Sequence, residues 1–145
     1  MTIKLAIASD HAGFALKETL KTTFKSFPVE WVDLGTYSSD SVDYPDYGQK
    51  LSDCVSAGQA DMGVAICGSG IGISIACNRN PKIRAALCHD VTSARLSRQH
   101  NDANVICMGE RLIGAEIALD MLKIFLETKF EGGERHERRV GKLNC

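Results

Sequence analysis

The chain has 145 residues, 44% of them hydrophobic and 24% charged, with a formal net charge of -1. That is enough for one domain with a sizeable core, and near-neutrality gives no general attraction to nucleic acid or to an anionic membrane. No apolar run approaches the roughly 18 residues of a membrane span, so any anion must be gripped by a local cluster of bases.

Ile3 to Ser9 reads as a buried strand that runs straight into Asp10 and His11. Phe14, Leu16, Leu20, Phe24 and Phe27 follow at near-helical spacing, a βα unit with Asp10 and His11 at the carboxyl end of its strand. Val29 to Leu34 is a second strand, ended by Gly35, and a polar loop then becomes a helix near Tyr44 that runs to about Ala57. Val64 to Cys67 is a third strand, from which Gly68, Gly70 and Gly72 lead into a helix of small residues. Ile83 to Cys88 is a fourth, followed by a helix through Ala94 and Leu96 to about Gln99, and Asn104 to Met108 is a fifth, stopped by Gly109. Ala115 to Leu126 forms the last long helix. This alternation predicts one domain over residues 1–145 with a parallel sheet covered on both faces, whose ligand sits beyond the carboxyl ends of the strands.

The stretch CGSGIG, from Cys67 to Gly72, is the strongest local signal. A strand, a glycine turn and a helix start leave backbone N–H groups open to an anion, and a helix N-terminus favours the thiolate of a cysteine beside it. The dinucleotide pattern G-x-G-x-x-G fails because position 73 is Ile, no Gly-Lys-Ser/Thr follows, and G-x-S-x-G fails because position 67 is Cys. The bland alternative is a tight turn beside a buried, inert Cys67.

The tail, Phe130 to Asn144, leaves the last helix through Gly132 and Gly133 and carries Arg135, His136, Arg138 and Arg139. If helical, it places Arg135 and Arg139 on one face, a spacing suited to clasping a phosphate, with Arg138 turned aside. Equally, it is a solvated charged segment in which these arginines pair with Glu134 and Glu137.

The six cysteines, at 54, 67, 77, 88, 107 and 145, contain no C-x-x-C, and the histidines at 11, 89, 100 and 136 contain no H-E-x-x-H, so no metal is expected. Cys54, Cys77, Cys88 and Cys107 read as core packing and Cys145 as an accident of the terminus, and with no leader segment before the first strand the expectation is free thiols in a reducing cytoplasm. His89 and His136 are taken as surface or supporting residues, and Tyr44 and Pro45 as shaping the mouth of the site.

SDHAGFALK near the start, D-Y-P-D-Y in the second loop, ICGSGIGISIACNR in the centre, SRQHNDANV, MGERLIG and F-E-G-G-x-R-H-x-x-R together resemble the ribose-5-phosphate isomerase B family. That family also contains galactose-6-phosphate and allose-6-phosphate isomerases. The resemblance implies a three-layer αβα Rossmann-like sandwich with a five-stranded parallel sheet. It also implies aldose–ketose interconversion of D-ribose 5-phosphate and D-ribulose 5-phosphate, a step of the non-oxidative pentose phosphate pathway, without metal or organic cofactor.

Residue by residue, it makes Cys67 the base that moves a proton between neighbouring carbons, in the family's cysteine branch. The backbone from Gly68 through Gly70 and Ile71 to Gly72 would cradle the enediolate, and Ser69 would pass a proton between substrate oxygens. His100 would open the sugar ring, with Asp10 near the ring oxygen and Asn101 holding an enediolate or hydroxyl oxygen. His11, Arg111, Arg135 and Arg139 would bind the phosphate, making residues from about 130 to 145 a phosphate-binding tail. The resemblance further implies a homodimer, tetrameric in some members, in which His100, Asn101 and Arg111 reach the site from the neighbouring subunit. The residues themselves leave a monomer open. They also leave open a six-carbon sugar phosphate and a non-catalytic module that binds phosphosugars. Glu134 stands between Gly133 and Arg135, where some members pass directly from Gly-Gly to Arg-His.

Overall fold

The structure, a computed structural model, describes residues 2–143; Cys145 and the end of the tail lie outside them. Five strands form one parallel sheet: β1 (Ile3–Ser9), β2 (Val29–Asp33), β3 (Met62–Cys67), β4 (Ala85–Leu87) and β5 (Val105–Gly109), in the order β2-β1-β3-β5-β4. The helices are α1 (Phe14–Thr23), α2 (Tyr44–Ser56), α3 (Ile71–Cys77), α4 (Val91–Asn101), α5 (Ala115–Glu127) and α6 (Gly133–Gly141). This is the expected three-layer αβα sandwich.

The period of two along each strand decides which side chain meets which layer. Leu5, Ile7, Val64, Ile66, Ile106 and Met108 enter a core with α1, α4 and α5, where Leu20, Met121 and Phe125 are fully buried. Ala6, Ala8, Ala65, Cys67, Val105 and Cys107 face α2 and α3. The same alternation therefore carries Cys67, the last residue of β3, to the α2–α3 side. Cys54, Cys77, Cys88 and Cys107 are all buried, and burial pushes the Cys54 and Cys88 thiols up.

Two elements are shorter than their sequence pattern. The first helix stops at Thr23 instead of reaching Phe27, because Pro28 bars Phe27 from the helical region and Phe24, extended at φ -70° and ψ 116°, turns in to stack on Phe27. The fourth strand keeps only Ala85–Leu87 of the expected 83–88. Arg84 N–H is taken by the Asn104 side chain at 2.8 Å, and the Asn78 amide bonds both N–H and C=O of Ala85 at 2.8 and 2.9 Å. Asn78 thus caps an edge strand against further pairing. The tail is helical as α6, so Arg135 and Arg139 do share a face.

The sheet order reverses direction between β1 and β3: the chain leaves β1 towards β2 and leaves β3 towards β4 on the opposite side. Ligands of open parallel sheets sit at the carboxyl ends of such a strand pair. Asp10 and His11 follow β1 there, and Gly68 follows β3.

Candidate active site

Beyond those two strand ends lies an open cleft of about 540 Å3, walled by Asp10, His11, Cys67, Ser69, Tyr44 and Arg111 among others. That is ample for a small phosphorylated ligand. Cys67 is 4% exposed, yet it reaches this cleft rather than being sealed in the core. Its Sγ accepts a hydrogen bond from Gly70 N–H at 3.2 Å. Gly70 makes that contact in a left-handed conformation, φ +77°, where a Cβ would stand 2.6 Å from Leu87 Cδ1 and 2.8 Å from the Met108 carbonyl carbon. Gly109, at the end of β5, is equally constrained: a Cβ there would lie 2.5 Å from the carbonyl carbon of Ser69. The turn is pressed into its shape by the neighbouring strand.

Ser69 Oγ accepts Ile71 N–H at 3.1 Å, while the N–H groups of Ser69 and Gly72 find no acceptor among the described residues. These are the open donors the glycine pattern predicts. The Tyr44 ring lies where a Cβ on Gly72 would come within 2.6 Å, so the first residue of α2 closes over the turn. Asp10 acts as a cap with one oxygen, Oδ1 accepting Ala12 and Gly13 N–H at 3.0 and 3.1 Å; its Oδ2 takes no bond among the described residues. His11 Nδ1 accepts Val42 N–H at 3.2 Å, which leaves Nε2 as its donor.

Arg111 stands over the turn, its Nη1 3.2 Å from the Cβ position of Gly68. It lines the cleft of its own chain. The physical cause is a backbone clamp: Glu110 N–H donates to Cys67 O and Arg111 N–H to Gly68 O, both at 3.0 Å.

His100, Asn101, Arg135 and Arg139 do not line this cleft. His100, in the last turn of α4, stacks on His136 of α6 with ring centroids 4.7 Å apart and planes 6° from parallel. Its Nε2 lies 3.8 Å from Glu131 Oε2. Asn101 opens on a separate hollow beside β4 and Ala103. Arg135 and Arg139 are exposed, and neither forms an ion pair with Glu134 or Glu137 among the described residues. Arg135 instead reaches His136 Nε2 at 3.5 Å.

His100, Glu131 and His136 have the donor types of a zinc site, with ligand atoms within 4.8 Å of one another. Parallel stacked rings, however, cannot both aim in-plane lone pairs at one ion, and a guanidinium adjoins the third member. Sequence reading gave Glu131 no role and left His136 in support. Nothing local would have paired His136 with a residue 36 positions earlier on another helix.

A doubly covered parallel sheet, with a thiol, open N–H groups and a guanidinium that has no carboxylate partner among the described residues gathered at its switch point, defines an α/β enzyme acting on a small anionic substrate. The profile of the ribose/galactose isomerase family matches residues 5–143. Ribose-5-phosphate isomerase B of Escherichia coli strain K12 is 44% identical over 142 residues, covering 98% of this chain and 95% of that one. Among solved structures, ribose 5-phosphate isomerase of Thermotoga maritima superposes with a TM-score of 0.92 at 51% identity, covering 98% and 97% of the two chains. The type B enzyme of Trypanosoma brucei superposes at 0.95 with 44% identity, covering 99% and 98%. The chain belongs to the ribose/galactose isomerase family, and it is a sugar-phosphate isomerase.

Proposed function

We propose that this isomerase interconverts D-ribose 5-phosphate and D-ribulose 5-phosphate through an enediolate, in the non-oxidative branch of the pentose phosphate pathway, with no metal or organic cofactor. The observation that carries the reading is the Gly70 N–H bond to the Cys67 sulfur inside an open cleft. It fixes the sulfur of the proposed base at the edge of the cleft, within reach of a substrate carbon. Cys67 takes the proton from C2 of the aldose and returns it to C1. The Ser69 and Gly72 N–H groups meet the negative oxygen that develops, and the Ser69 hydroxyl passes a proton from one substrate oxygen to the other.

Ring opening falls to His100, with Asp10 and Asn101 on the sugar oxygens, and the phosphate to His11, Arg111, Arg135 and Arg139. Within one chain these groups stand in separate places, so the complete site requires two chains: a homodimer in which α4 and α6 of one subunit close the cleft of the other. The cleft is rimmed with exposed apolar side chains, Ile71, Ile75, Leu112 and Tyr44, each between 42% and 57% exposed. Such a patch favours a protein partner over water. The unpaired arginines of α6 fit the same arrangement, because a guanidinium without a carboxylate is available to a phosphate.

Purified protein given ribose 5-phosphate, allose 6-phosphate and galactose 6-phosphate in EDTA tests the reading. Ribulose 5-phosphate should form from the first, with kcat/KM at least about tenfold above either six-carbon substrate, a margin of ~1.4 kcal/mol in the transition state. Preference for a six-carbon substrate would reassign the specificity. Binding without turnover of any of the three would leave a phosphosugar-binding module.

A further inference from the structure

Between α5 and α6 the chain sets Glu131 against the end of α4. Glu131 N–H donates to Gln99 O at 3.1 Å, which ties the loop to the last turn of α4, and the carboxylate Oε2 then stands 3.8 Å from His100 Nε2. That is longer than a hydrogen bond, so the contact is electrostatic and strongest when the imidazole is charged. On the other side, the His136 ring, 9% exposed, covers His100 in the parallel stack at 4.7 Å.

The two rings have opposite surroundings. Arg135 Nη2 lies 3.5 Å from His136 Nε2. A guanidinium can only donate, so that nitrogen is an acceptor and the His136 ring proton sits on Nδ1. His100 thus has a carboxylate at its edge, and His136 a guanidinium. The other charged groups at this end of α4 form their own cluster, Asp102 pairing with Arg98 at 2.9 Å and with Arg84 at 3.3 Å.

We propose that Glu131 and His136 are the positioning residues of the ring-opening step, the first holding a carboxylate beside His100 Nε2 and the second fixing the plane of the His100 ring. This rests on the acid–base role given to His100 above. Neither residue touches the reacting carbons, so their removal should impair opening of the sugar ring and leave proton abstraction by Cys67 intact.

The two steps separate cleanly by substrate. Ribose 5-phosphate is mostly a closed furanose and must be opened, whereas ribulose 5-phosphate carries phosphate on its C5 oxygen and has no furanose to open. In D2O, Cys67 removes a C1 proton from the ketose to give the enediolate and returns a deuteron to the same carbon. Loss of the C1 proton signal by NMR therefore reads the base alone. Glu131→Gln and His136→Ala, each as the purified full chain, should lower kcat/KM for ribose 5-phosphate about tenfold or more, within the range of general acid–base contributions. C1 exchange of ribulose 5-phosphate should stay within about twofold of the unaltered protein. Parallel loss of turnover and exchange would show that these residues only support the fold or the subunit contact, and would overturn the proposal. So would unchanged turnover in both variants. Absence of exchange and turnover in the unaltered protein would instead overturn the isomerase reading itself, and this inference with it.

Discussion

At the scale of single residues, the proposed chemistry rests on one sulfur atom. Cys67 is nearly buried, accepts an N–H from Gly70, and lies in the same cleft as Arg111, which has no carboxylate partner among the described residues. Three other cysteines that share its core layer, Cys54, Cys77 and Cys107, are buried without opening on that cleft. Cys67→Ala should therefore lower kcat for ribose 5-phosphate by a factor on the order of 10^3 or more, while the Kd for the sugar phosphate, measured by calorimetry, changes little. Unchanged turnover would remove Cys67 from the role of base. The place of Cys67 at the cleft was legible in sequence because position 67 ends an apolar run and a glycine turn follows. The Gly70 bond and the Arg111 contact were not, since both depend on how β5 packs against the turn. An aspartate between a strand and a helix start reads as an N-cap, which Asp10 is, but nothing in the sequence shows that its second oxygen stays open among the described residues.

At the scale of elements, the carboxyl end of β2 is fastened to α1 by a charged cluster. Lys17, fully buried, and Lys21 both place Nζ 2.7 Å from Asp33 Oδ2, and Gly35 N–H donates to Asp33 Oδ1 at 2.9 Å. Burial works against the Asp33 carboxylate, but the bonds from Lys17, Lys21 and Gly35 outweigh it and hold its pKa below the ordinary aspartate value. A lowered carboxylate pKa contributes stability that is present above the unfolded pKa and is lost as pH falls through the folded one. The chain should therefore lose stability to urea as the pH drops below about 4, and Asp33→Asn should flatten that dependence while being less stable at neutral pH. A variant with the same acid slope as the unaltered protein would show that the cluster contributes nothing. The pattern of apolar residues predicted the strands and helices around this cluster because period two and period 3.6 are written into them. It did not predict a fully buried Lys17, since a lysine between apolar positions of a helix reads as solvent-facing until its partner on β2 is known.

At the scale of the whole molecule, the two halves of the proposed chemistry stand apart in one chain. Cys67, Ser69, Asp10, His11 and Arg111 share the cleft, whereas His100 with Glu131 and His136, and the arginines of α6, gather near the end of α4. The fold was legible because each strand and helix announces itself locally. The assembly of the proposed dimer was not, because exposed surface residues such as Ile71 and Leu112 carry no periodic signal. The account therefore depends on a second subunit bringing His100 to Cys67. Mixing two inactive variants, Cys67→Ala and His100→Ala, tests it most directly. After the subunits exchange, half the dimers are mixed, and each holds one intact and one doubly damaged site, so activity should return to about a quarter of that of the unaltered protein. Mixtures that stay as inactive as the separate variants, although mass measurement shows the mixed dimers to be present, would contradict a site shared between subunits.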